Sequence, residues 1–229
     1  MFLRMIFIEI EVMKKIYLLI LIFSIAVNAQ KTRGFGSIAS FYDRKFEQNI
    51  FVAADAGLEI KLSKKFRPEI GFSAYYGSLR DQNTLNNFDE ITNLLSQNFL
   101  AIGLTIRPKF CLAGSETDGD VLFQMFPIYS ITNVRAKGNY YTYDLSNSNK
   151  TINEQDTFSE TRHSIGVGFG VFIDFVNKND SMTLNLIFNN INFGNALSKL
   201  KFANNPIATN NVIGLELKYY FGFSGIKNN

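Results

Sequence analysis

Residues 165–175 place Ile165, Val167, Phe169, Val171, Ile173 and Phe175 at every second position, with Gly166, Gly168, Gly170, Phe172 and Asp174 between them. A period of two belongs to a β-strand, whose side chains point alternately to opposite faces; a helix would repeat every ~3.6 residues. The chain closes on the same pattern: Ile213, Leu215, Leu217, Tyr219, Phe221 and Phe223 alternate with Gly214, Glu216, Lys218, Tyr220 and Gly222. It recurs over residues 52–62, 69–76, 100–110 and 182–189, each time with large apolar residues on one face and small or charged residues on the other. Two further segments, near residues 34–42 and 121–134, are apolar enough for strands but alternate less cleanly. The pattern predicts eight antiparallel strands.

The connections between these segments alternate in length. The short ones lie at residues 63–65, 113–119 and 177–180, and the longer ones include residues 81–97, 135–161 and 194–210. Transmembrane barrels of bacteria show this rhythm, with short periplasmic turns and longer external loops.

At the amino end, residues 13–30 read MKKIYLLILIFSIAVNAQ: two lysines, an apolar run of about a dozen residues and a small-residue site at Val27-Asn28-Ala29. This is the layout of a secretory signal peptide, expected to start at Met13 and to be cleaved after Ala29. Residues 1–29 are therefore read as an upstream extension plus leader, and residues 30–229 as one barrel domain. Glu9, Glu11, Lys14 and Lys15 argue against a retained membrane helix beginning near Met5. With the leader removed, no apolar run of helical membrane-spanning length remains, so a membrane crossing would need a closed barrel.

The small-residue face carries charges of both signs: Asp55, Glu59, Glu69, Asp174 and Glu216 against Lys61, Arg67, Arg107, Lys109 and Lys218. A nearly balanced set suits an enclosed interior, because removing one partner of a buried ion pair costs about 3–5 kcal/mol. Gly and Ser beside these long side chains would let a narrow eight-stranded interior fill without clashes. Aromatic residues gather at strand ends, Phe66, Phe110, Phe175, Tyr219, Phe221 and Phe223 at one rim and Phe41, Tyr42, Tyr75, Tyr76 and Tyr129 at the other, as interfacial girdles do. The fold expected is thus an all-β, eight-stranded antiparallel up-and-down transmembrane β-barrel following a cleaved signal peptide, with its apolar face toward lipid. A secreted lipocalin-like barrel is the competing fold.

The leader, the alternating strands and a last strand of the form Ile213-Gly214-Leu215-Glu216-Leu217-Lys218-Tyr219-Tyr220-Phe221 together resemble the PorT-like outer-membrane β-barrel family of Gram-negative bacteria. The resemblance implies residence in the outer membrane, contact with its lipid, and insertion by the barrel-assembly machinery, for which the aromatic end of the last strand looks like the recognition signal. Residues 224–229 run on past it.

Composition limits what chemistry to expect. The net charge of +3 is scattered over 229 residues, without the basic stripe of a nucleic-acid binder, and Cys111 is the one cysteine, which excludes an internal disulfide. His163 and Ser164 are adjacent, but neighbours on a strand point to opposite faces, so no nucleophile and base are expected to meet there. The Gly166, Gly168, Gly170 series lacks the third spaced glycine and the helix of a dinucleotide-binding loop, and is read as room for opposing side chains. Glu116, Asp118 and Asp120 lack the ligand series of a calcium loop. No catalytic, cofactor or metal residues are assigned.

Tyr140, Tyr141 and Tyr143 sit among polar residues on a long connection and offer adaptable contact surface. The expectation is a non-enzymatic barrel with a structural or surface-interaction role. The alternatives are a small transport barrel for an apolar solute, a lipid-modifying enzyme and a secreted lipocalin-like binding protein.

Overall fold

The computed structural model describes residues 32–43, 50–63, 65–79, 81–85, 87–88, 91–113, 121–144, 149–175, 180–201 and 211–222. The leader, Phe223, and the acidic run Glu116, Asp118, Asp120 lie outside these. Among the described residues ten strands are formed: β1 (Thr32–Tyr42), β2 (Ile50–Ile60), β3 (Glu69–Ser78), β4 (Gln82–Leu85), β5 (Ile91–Arg107), β6 (Phe110–Ala113), β7 (Val121–Asp144), β8 (Asn149–Asp174), β9 (Ser181–Asn189) and β10 (Val212–Gly222). One short helix, α1 (Gly194–Leu197), lies between β9 and β10.

Eight strands close a ring. β1 pairs with β2, β2 with β3, β3 with β5, β5 with β7, β7 with β8, β8 with β9, β9 with β10, and β10 returns to β1, every pair antiparallel. The two remaining strands are accessory: β4 lines the outer end of β5, and β6 prolongs β5 against β7. Between β5 and β6 the ladder is interrupted, after Ile106 opposite Tyr129 and before Phe110 opposite Met125. That register sets Pro108 against Pro127, two residues without a backbone donor, so the gap falls where the sequence cannot supply the bonds.

The alternation fixes which face is outside. Phe72 is 69% exposed and its neighbour Ser73 is 1% exposed. The outward positions of β2, β3, β9 and β10, among them Val52, Ile70, Leu184, Leu186, Ile213 and Leu217, form an exposed apolar surface. The inward positions carry the buried charges. A soluble lipocalin-like barrel is the inverse of this, and an exposed apolar surface continuous around a ring marks a face made for lipid.

Three expectations needed revision. Residues 135–161 are not a loop: β7 and β8, of 24 and 26 residues, stay paired to their tip at Asp144 and Asn149. Beyond Ile131 and Ile165 the outward positions turn mostly polar, and apolar residues such as Val134, Ala136 and Phe158 face inward instead, which breaks the hydrophobic pattern without weakening the ladder. β5 likewise begins at Ile91, so residues 91–97 are strand rather than connection. Phe41 and Tyr75 do not join an outer girdle. They point inward at 3% exposure each, because their neighbours Tyr42 and Tyr76 take the outward positions. The outer girdle that remains includes Tyr42, Tyr76 and Tyr129, and the opposite one Phe110, Phe123, Phe175, Tyr219 and Phe221.

Candidate functional site

The barrel interior is filled in two different ways along its axis. At the end that holds the strand termini near residues 32 and 222, ion pairs dominate. Arg107 reaches across the lumen to Asp55 and Glu216, both at 2.7 Å. Lys109 binds Glu69 at 2.7 Å, and also Glu59, while Lys218 binds Glu69 at 2.7 Å. Tyr220 donates to Glu69 at 2.5 Å and Asn185 to Glu216 at 2.7 Å. Glu69 thus accepts from Lys109, Lys218 and Tyr220, and Glu216 from Arg107 and Asn185, the several donors that a charge removed from water requires.

Aromatic rings complete this half. Lys109 Nζ lies 4.3 Å from the centre of the Tyr220 ring and Lys218 Nζ 4.3 Å from that of Phe35, within cation–π range. A residual cavity of about 10 Å³ beside Asp55, Glu69 and Arg107 has room for roughly one water.

The positions assigned to the interior from the sequence distribute as follows. Asp55, Glu59, Arg67, Glu69, Arg107, Lys109, Glu216 and Lys218 are buried. Lys61 sits just past the end of β2 and is half-buried. Asp174 occupies the last position of β8, opposite Ser181, and its side chain lies outside the described residues. Arg33 was not in the set, yet it binds Glu59 at 2.9 Å and Ser181 at 2.8 Å. Its place on the inward series Arg33, Phe35, Ser37, Ala39, Phe41 was the available signal.

Toward the other end the interior becomes apolar. Phe41, Phe51, Tyr75, Phe99, Val134 and Ala136 form one buried cluster. Its centre is supplied by the connection between β9 and β10. Residues 191–200 fold inward, and Phe193 lies 4.4 Å from Phe99, 5.3 Å from Phe51 and 5.3 Å from Tyr75, ring centre to ring centre. Ala196 and Leu197 are fully buried, and Leu200 packs over Gly138. This segment falls, from residue 194 on, within the long connection expected over residues 194–210. Its Ile191, Phe193, Ala196, Leu197 and Leu200 lie on no strand, so a two-residue period could not reveal them.

The large rings fit because of glycines opposite them. Register pairs Phe35 with Gly57, Phe41 with Gly214, Phe99 with Gly77 and Phe126 with Gly168. In each case a Cβ on the glycine would run into the ring. Gly170 similarly makes room for the Asn185 amide. The glycine run of β8 is therefore packing space.

Beyond the ring, β4 and the outer ends of β5, β7 and β8 continue as a sheet on one side of the mouth. Glu160 there binds Arg162 at 2.7 Å and Lys199 at 3.4 Å, and Glu154 binds Lys201. Tyr140 and Tyr141 are half-buried near the tip of β7, opposite Leu95 and Leu94 of β5, and the Tyr143 side chain lies outside the described residues. His163 faces out and its Nδ1 meets the Tyr129 hydroxyl at 2.8 Å, whereas Ser164 faces in and is buried. The two do not meet.

A closed eight-stranded antiparallel ring with an apolar outer belt, aromatic girdles and a charged interior is a transmembrane β-barrel of the outer-membrane type. No family model matches the chain, and no curated protein matches it in sequence. Among solved structures it is similar to Ail, the attachment invasion locus protein of Yersinia pestis, with a TM-score of 0.40 and 9% identity over 83% of this chain and 96% of that one. It is also similar to Neisserial surface protein A, with a TM-score of 0.40 and 9% identity over 84% of this chain and 96% of that one. A major outer membrane protein from Thermus thermophilus overlaps with a TM-score of 0.45 and 11% identity, over 84% and 99% of the two chains. These overlaps are partial; the closed ring and its belt define the barrel by themselves.

Proposed function

We propose that the chain is a non-enzymatic barrel of the Gram-negative outer membrane, an anchor that presents its one-sided sheet extension for contact outside the cell. What supports this is the filled lumen. Ion pairs occupy one half and a ring cluster with the inserted residues 191–200 the other, leaving the outer sheet as the surface available for interaction. Tyr140, Tyr141 and Tyr143 lie at its tip and would be part of that contact surface. The placement of His163 and Ser164 on opposite faces keeps this pair from serving a lipid-modifying reaction as nucleophile and base. Kinship with PorT-like barrels, and use of the barrel-assembly machinery, are supported by the aromatic close of β10.

Cell fractionation and planar-bilayer recording test this. The protein is expected with outer membranes, to shift mobility on boiling before electrophoresis, and to conduct at background. Steady conductance well above background overturns the filled-anchor reading, and recovery in the soluble periplasm overturns the membrane reading.

A further inference from the structure

The outward faces of the strands are almost free of charge. Among the described strand side chains, the charged residues that face out are Arg135 and Lys137, both on β7 and both exposed. They stand four and six residues beyond Ile131, the last apolar outward residue of that strand. Arg135 is level in register with Leu100 of β5, which is the last exposed apolar residue toward the outer end of that strand. The two cations therefore sit at the upper edge of the lipid-facing belt, where hydrocarbon gives way to headgroups. Consecutive outward positions on a strand are ~7 Å apart.

Their surroundings set them apart from the other cations on this side of the barrel whose side chains are described. Arg162, Lys199 and Lys201 each bind a carboxylate. Arg135 is flanked across the sheet by Leu100 and Ser159, and Lys137 by Asn98 and Thr157. Along the same face the next positions are Asn133 and Asn139. Among the described residues no carboxylate stands at a neighbouring position on this face, while hydroxyls and amides flank both. Two cations in a neutral, hydrogen-bonding setting at headgroup height form a site for a phosphate. A guanidinium binds phosphate oxygens in pairs and an ammonium adds a point charge.

We infer that Arg135 and Lys137 bind the phosphates of an outer-leaflet lipid headgroup, with Ser159 and Thr157 as flanking donors. This rests on the membrane-barrel reading. A basic residue near an anionic membrane surface is typically worth enough to change occupancy several-fold, so losing two should reduce it by about tenfold or more.

The test is native mass spectrometry of the full-length barrel folded in micelles containing either diphosphoryl lipid A or the same lipid with its phosphates removed. The wild type is expected to retain the diphosphoryl form at least about tenfold better, and the Arg135→Gln/Lys137→Gln double variant to lose that preference. A Lys199→Gln/Lys201→Gln variant, whose lysines already have carboxylate partners, should keep it. Each variant is first checked for the mobility shift on boiling. Equal retention of the two lipids by the wild type, or an unchanged preference in the double variant, overturns the inference while leaving the barrel intact. Failure of the wild type to insert at all overturns both.

Discussion

The two halves of the lumen fill the same narrow ring with opposite materials. At the terminal end, Arg107, Lys109 and Lys218 tie four strands together through four carboxylates. At the outer end, rings from β2, β3 and β5 close around Phe193, with Phe41 of β1 stacked behind them. Ion pairs are directional and fail when one partner is lost. Apolar packing is not directional, and it degrades by the volume removed. Damage should therefore be all-or-none in one half and graded in the other.

The largest expected effect follows from Arg107→Met, which strands Asp55 and Glu216 in the lumen. Stability, read from the urea midpoint of the reconstituted barrel, should fall by about 3–5 kcal/mol. Adding Asp55→Asn and Glu216→Gln should recover much of it, because the stranded charges are then gone. A loss that persists in the triple variant would break the contrast, since it would mean that Arg107 acts through packing.

That contrast also explains which parts of the fold were legible. In the terminal half the inward face is charged or small and the outward face large and apolar, so strands such as β10 announce themselves and their interior charges can be named by parity. In the outer half the inward face is apolar as well. Phe41 on β1, and Phe126, Ile128 and Val134 on β7, match the hydrophobicity of the residues facing lipid. The alternation then blurs although the strands are regular. The upper parts of β7 and β8 fail for the converse reason, their outward positions being mostly polar while Val134, Ala136 and Phe158 face inward. Phe193 could not be placed from pattern at all, because its burial depends on a loop entering a ring closed by distant strands.

Phe193→Ala should cost less than the stranded charges, about 3 kcal/mol, and should act locally. Residues 190–201 are expected to become sensitive to limited proteolysis while the boiling shift is retained. Simultaneous loss of that shift would show that the outer cluster is as all-or-none as the charged half.

The smallest effect tests the ring-over-glycine packing shared by both halves. Gly168→Ala forces the Phe126 ring aside and should cost about 1–3 kcal/mol, whereas Gly36→Ala, where a Cβ would meet nothing within 4 Å, should stay within about 0.5 kcal/mol of wild type. Equal midpoints for the two would remove the assigned role of the glycine run.

Phe193 is tethered between β9 and β10, yet the rings it touches belong to β2, β3 and β5, on the far side of the seam where β10 meets β1. It therefore works as a tie-rod across the lumen. The first and last strands are held together by their own ladder and also by an internal brace whose full set of contacts spans the closed ring. Docking of residues 191–200 would accordingly be a late folding event, one that makes the closed seam harder to reopen.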